Sequence, residues 1–198
     1  MNGHILSIDP MSLNSGPGIR VEIYISQNAE LTMTPMETVN RIRKFRPYFG
    51  PDGGGVTFKG KEIFKYATYL KETCLICHKA GINTCIETDG LDYNDDLELL
   101  NYTDLFIINI SSLPLYNYNN LSIEQLMNVD KLMNHLSEKK INIWVKQIIK
   151  KDINDSDEYI ELLKKYLGRY DNIKDIEIIG DDISNDKLSS FQRILKEV

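Results

Sequence analysis

The chain has 198 residues, 42% hydrophobic and 26% charged, with 12 glycines and 6 prolines. Those proportions exclude collagen-like, coiled-coil and disordered classes, and no apolar run approaches the roughly 20 residues of a transmembrane helix. Lys and Arg total 23 against 29 acidic residues, a net charge of -6, which argues against nucleic acid or an anionic membrane as a partner.

The opening Met1-Asn2-Gly3-His4-Ile5 has no basic stretch leading into an apolar one, so no secretory signal is expected. Three cysteines without such a signal suggest reduced thiols and a cytoplasmic chain. The first predicted strand is 21–26 (VEIYIS), followed by a helix whose start reads Thr34-Pro35-Met36-Glu37. That start combines an N-cap hydroxyl, proline at the first helical position and a capping-box acid. Strand 55–58, a helical pattern over 62–79, strand 83–87, a short helix at 95–100 and strand 105–110 come next. Ser122-Ile123-Glu124-Gln125 caps a further helix, strand 142–149 follows, and Asp155-Ser156-Asp157-Glu158 opens another helix. Strand 173–179 and a helix over 184–196 complete the series. Six strand–helix units in a row predict an α/β fold with a parallel sheet and helices outside. Without a linker or composition break, the reading is one domain over 1–198, an open partial (β/α) barrel of six parallel strands. Chemistry in such folds sits in the loops after the strands, here after Ser26, Phe58, Glu87, Ile110 and Ile149.

Several residues stand out at those places. Gly53-Gly54-Gly55 lead into a strand, leaving backbone open for a ligand or an extended peptide, or else forming a flexible turn after Pro51-Asp52. Lys59 and Lys61 either stay solvated or meet Glu62 or Glu87. Glu62 suits the first turn of a helix. Cys74 and Cys77 share a helix face and Cys85 lies in a strand, which fits buried hydrophobic roles. The Cys74–His78 stretch also spells CxxCH, but haem attachment would need export and exposure. Zinc on Cys74, Cys77 and His78 lacks a fourth ligand. Trp144 reads as core, His135 as surface, and Asp181, Asp182 and Asp186 as solvated acids.

Ser15-Gly16-Pro17-Gly18-Ile19-Arg20 precedes the first strand, and Arg46-Pro47-Tyr48-Phe49 leads into Gly53-Gly54-Gly55-Val56-Thr57-Phe58. Gly81-Ile82-Asn83-Thr84, Glu87-Thr88-Asp89-Gly90 and Tyr102-Thr103-Asp104-Leu105 follow in order. Together they resemble the radical S-adenosylmethionine activating enzymes of glycyl radical enzymes, over nearly the whole chain. The resemblance implies a partial barrel of six parallel strands and a CxxxCxxC loop after the first. That loop would hold a four-iron four-sulfur cluster, which cleaves S-adenosylmethionine so that the resulting radical takes hydrogen from a glycine of the partner enzyme. Here Tyr24-Ile25-Ser26-Gln27-Asn28 runs through Ala29-Glu30-Leu31 straight to Thr34, with Asn28 where the first cysteine would stand. Set against the family pattern, the cluster loop is missing, so a 4Fe-4S cluster is not expected and metal ligands are none. Iron–sulfur clusters need soft thiolates, which asparagine and serine do not replace.

The family's GGEP turn reads Gly60-Lys61-Glu62-Ile63, the serine before it is Lys59, its Asp-x-Lys is Asn109-Ile110-Ser111, and its Arg-His pair is Lys146-Gln147. Any retained S-adenosylmethionine site is therefore expected at Gly60, Glu62, Glu87, Asn109 and Lys146. The partner or substrate face is expected at Arg20, Gly53, Gly54, Gly55 and Thr57, with the tyrosine-rich segment 115–120 as a further partner contact. The expected function is that of a degenerate, non-catalytic homologue that binds or regulates a protein partner such as a glycyl radical enzyme. A second copy is another way to cover apolar surface left by the missing loop. One alternative is an active activase with an external cluster or one on Cys74, Cys77 and Cys85. Another is an enzyme for a small anion held by Lys59, Lys61, Lys146 and Arg20, with Glu62 or Glu87 as base.

Overall fold

The computed structural model describes residues 2–51 and 53–196, so Asp52 of the Pro51-Asp52 turn lies outside the described residues. The chain forms an α/β fold with an eight-stranded, mostly parallel sheet. Contacts divide it into two compact units. The first runs up to Thr88 and takes in Asp92–Ile107, and the second comprises Asp89–Leu91 and the residues from Ile108 onward.

The first unit opens with β1 (Gly3–Ser12), β2 (Arg20–Ile25) and β3 (Leu31–Met33), then α1 (Pro35–Arg43). β4 (Gly55–Lys59), α2 (Ala67–Lys79), β5 (Asn83–Thr88), α3 (Leu97–Leu100) and most of β6 (Leu105–Asn109) follow. Its strand order is β3-β1-β2-β4-β5-β6. β2, β4 and β5 pair in parallel, as the crossover helices require, whereas β1 runs antiparallel to both β2 and β3. These two strands correct the six-stranded partial barrel expected from the sequence. β1 escaped notice because it carries Pro10 and buries only Gly3 and Ile5, so its hydrophobic alternation is short. β3 is three residues long.

The four residues Gly55 to Phe58 of β4 are all buried, the mark of a parallel strand covered on both faces. α1 begins as predicted: Thr34 caps it and Glu37 returns the bond to the Thr34 amide. Its Val39 and Ile42 are buried, and Thr38 Oγ1 meets Tyr69 Oη of α2 at 2.7 Å. The helix expected from Glu62 starts later. Glu62 takes a left-handed conformation (φ 55°), Ile63–Tyr66 form a 3₁₀ turn, and only then does α2 begin.

In the second unit come α4 (Ile123–Glu138), β7 (Asn142–Lys150), α5 (Asp157–Leu167), β8 (Ile173–Asp181) and α6 (Asn185–Leu195). β7 and β8 pair in parallel. Ser122 and Gln125 form the expected capping box of α4, and Ser156 and Ser184 cap α5 and α6. On β7 the inward positions are Ile143, Val145, Gln147 and Ile149, so Trp144 points to the opposite face and is half-buried, not core. His135, expected on the surface, is half-buried in α4.

Candidate functional site

Arg20 begins β2 and is fully buried. Its Nε donates to Thr57 Oγ1 at 2.7 Å, and Nη1 to the Gly53 carbonyl at 2.7 Å and the Pro17 carbonyl at 3.3 Å. Nη2 donates to the Val56 carbonyl at 2.8 Å and Asn83 Oδ1 at 3.0 Å. Thr57, also buried, passes its hydroxyl proton toward the Ser15 carbonyl at 2.5 Å. Every acceptor is a neutral oxygen, and burial lowers the Arg20 pKa, offset in part by Cys85 and Asp104. One side chain thus ties the Ser15–Gly18 turn and the Gly53 turn to β4 and β5, with its five donors committed.

The glycine triplet has a related purpose. Gly53 is in the left-handed region at φ 85°, which favours glycine. A Cβ on Gly54 would strike the Phe49 and Ile19 carbonyls, and one on Gly55 the Asn83 carbonyl. The space that a ligand or a mobile turn was expected to use is filled by the protein's own backbone. Of the predicted partner face, Arg20, Gly54, Gly55 and Thr57 are buried, and Gly53 alone is partly exposed.

At the end of β4, Lys59 Nζ lies 2.7 Å from Glu22 Oε1. Glu22 also accepts from Ser15 Oγ and, at 3.4 Å, from Ser12 Oγ. Burial raises the Glu22 pKa, but the bonds from Lys59 and Ser15 outweigh it and the net direction is down. The sequence reading assigned Lys59 to solvent, Glu62 or Glu87 and overlooked Glu22. The available signal was an acid at an alternating position of VEIYIS, beside a strand that ends in lysine. Glu62 instead pairs with Lys65 at 2.7 Å, and Lys61 is exposed. Gly60 has no room for a Cβ against the Ile25 carbonyl, and Glu87 is half-buried at the end of β5. Within this unit the set proposed for a small anion is not assembled: Arg20 is committed to neutral oxygens and Lys59 is neutralised by Glu22.

Asn109 and Lys146 belong to the second unit, where both are half-buried. The Ile110 amide donates to the Lys146 carbonyl at 2.9 Å. Gln147 is fully buried and accepts the Tyr159 hydroxyl proton at 2.7 Å. The rings of Tyr116 and Tyr118 stand edge-on to Tyr159, with centroids 5.3 and 5.9 Å away. Tyr116 Oη also donates to the Ile153 carbonyl at 3.2 Å. Two of the tyrosines expected to meet a partner therefore hold their own loop in place, and burial raises the Tyr159 pKa.

Cys74, Cys77 and Cys85 form no disulfide and are fully buried, as expected of hydrophobic cysteines. Burial raises Cys74 well above its usual value and Cys77 to about 12, the direction expected of thiols enclosed in apolar surroundings. His78 is exposed while the sulfurs beside it face inward, which disposes of CxxCH as a site. Between Ile25 and Pro35 the chain passes through β3 to the Thr34 cap without a cysteine. Among the described residues no group of three His, Cys, Asp or Glu side chains is placed to hold a metal.

No family model matches the chain. It is 27% identical over 193 residues to the pyruvate formate-lyase-activating enzyme of Clostridium pasteurianum, covering 89% of this chain and 81% of that one. With the same enzyme of Staphylococcus epidermidis it shares 25% over 203 residues, 90% and 81% of the two chains. Among solved structures, a domain of pyruvate formate-lyase-activating enzyme from Bacteroides vulgatus superposes with a TM-score of 0.62. It has 18% identity and covers 73% of this chain and 94% of that one. A radical SAM methyltransferase from Sphaerobacter thermophilus superposes at 0.60, with 13% identity over 90% and 64% of the chains. The fold is that of the radical SAM enzymes. The sequence resemblance therefore holds, and the chain is activating-enzyme-like.

That finding overturns the expectation about cofactors. A chain so similar to activating enzymes and radical SAM structures cannot have the four-iron cluster set aside on its missing motif alone. Of the cysteines, Cys74 and Cys77 are enclosed in α2 and Cys85 in β5, and the segment after β2 carries none.

Proposed function

We propose that the activating-enzyme-like chain acts by binding a protein partner of the pyruvate formate-lyase class, with no catalytic step carried by its own side chains. The observation behind this reading is the contrast within the first unit. The Arg20 network that builds the Gly53 turn is complete, while the segment after β2 is a short strand and a helix cap without a thiol. The relatives are named for activating pyruvate formate-lyase, which supports a glycyl radical enzyme as the partner. In this reading Gly53 belongs to the partner face, and Arg20, Gly54, Gly55 and Thr57 act from beneath as its support. Gly60, Glu62 and Glu87 are proposed as the first unit's contacts for S-adenosylmethionine, held without turnover.

Calorimetry of the purified chain with pyruvate formate-lyase, alongside anaerobic incubation with iron, sulfide and S-adenosylmethionine, tests the proposal. Saturable binding without cleavage of S-adenosylmethionine is expected. Stoichiometric cluster absorbance with release of 5′-deoxyadenosine would overturn the non-catalytic reading, and absence of any heat with the enzyme would overturn the partner.

A further inference from the structure

The loop after β6 leaves a small cleft in the second unit. Its volume is about 160 Å³, and Leu113, Pro114, Leu115 and Leu162 give it a mainly apolar wall. Leu115 is 78% exposed, although the loop that carries it is pinned by Tyr116 and Tyr118 against Tyr159. Two cations, Lys165 and Arg169, also line the cleft. The Arg169 guanidinium stands 5.3 Å from the ring centroids of both Tyr166 and Tyr170. Its ion pair with Asp130 is long, at 3.9 Å, and about half of the side chain (49%) stays exposed. The same Asp130 oxygen already accepts the Tyr166 hydroxyl proton at 2.9 Å.

We propose that this cleft is a docking pocket for a partner protein, taking one apolar side chain whose neighbour in the partner carries a carboxylate. Size favours a single side chain, because small-molecule sites usually occupy about 300 Å³ or more, whereas interface anchors fill pockets of one residue. Charge selects the neighbour. In a chain of net charge -6, two cations beside an apolar cleft provide local complementarity to an acidic segment. Two aromatic rings hold the guanidinium ready to meet a carboxylate, at small cost in side-chain entropy. The pinned loop keeps the pocket formed before anything enters.

The inference deepens the partner-binding reading and rests on it, but the two can fail separately. Amide shifts of the ¹⁵N-labelled chain would be followed while adding blocked Glu-Phe-Leu-Glu or Lys-Phe-Leu-Lys peptide. The acidic peptide should move Leu113, Leu115, Leu162 and Arg169 and bind about tenfold more tightly than the basic one. Arg169→Gln and the surface change Leu115→Asp should each weaken it about tenfold. Equal binding of both peptides, shifts elsewhere, equal occupancy by hexanoate, or the same shifts on concentrating the chain alone would each overturn the proposal. If pyruvate formate-lyase binds the parent and Leu115→Asp alike, the pocket is wrong and the partner stands. If it binds neither while the acidic peptide occupies the cleft, the partner is wrong and the pocket stands.

Discussion

Arg20 and Glu22 sit two residues apart on β2, the first buried and the second half-buried, and each stabilises its charge differently. Arg20 has no carboxylate among its hydrogen-bond acceptors and spreads its charge over carbonyl, hydroxyl and amide oxygens. Arg20→Gln leaves several of those acceptors buried and unmet, so a loss of about 3 to 5 kcal/mol is expected from urea unfolding. Glu22 relies on Lys59 and two serine hydroxyls. Its folded carboxyl holds a proton less tightly than the unfolded one, so its stabilisation is complete above the ordinary carboxylate range of about 4 and fades as pH falls through the lower folded value. The gap in urea midpoint between the parent and Glu22→Gln should be widest at pH 7 and narrow as the pH is lowered below about 4. A gap that grew on acidification would refute the assignment. The Arg20 environment was not legible in the sequence: Arg20 belonged to the motif, but its acceptors come from turns and strands up to 63 residues away.

At the scale of elements, caps and strands were the readable part. Thr34 and Ser122 cap their helices as their spacing implied, because a cap is a bond between residues three apart, whereas Ser156 caps α5 one residue later than the Asp155–Glu158 spacing suggests and Ser184 caps α6. All six predicted strands exist, since a parallel strand needs its own apolar run. β1 and β3 were missed for the opposite reason, as their pairing with neighbours outweighs a weak pattern of their own. The glycine triplet lies between these cases. Its composition suggested freedom, yet Gly55 sits against the Asn83 carbonyl of β5 with no space for a methyl group. Gly55→Ala should therefore cost about 2 kcal/mol or more, because relief requires the two strands to separate. Thermal unfolding of this variant measures it, and an unchanged midpoint would show that the strands yield easily.

For the molecule as a whole, the thiols give the simplest check. All three cysteines are enclosed, so Ellman's reagent should find none in the native chain at pH 7 and three in guanidinium chloride. Rapid labelling of the folded chain would mean that α2 and β5 open readily. By itself the sequence determined the α/β class, the run of capped helices and parallel strands, and the likeness to activating enzymes, because periodicity, caps and ordered motifs are local or linear properties. Only the tertiary structure decided that Arg20 faces inward, that Glu22 is the acid for Lys59, that the glycines are filled by backbone, and that Tyr116 and Tyr118 brace their loop while Leu115 is left at the surface. Those outcomes depend on which distant atoms reach the same point, and hydrogen bonding and steric exclusion at such a point leave no periodic trace along the chain.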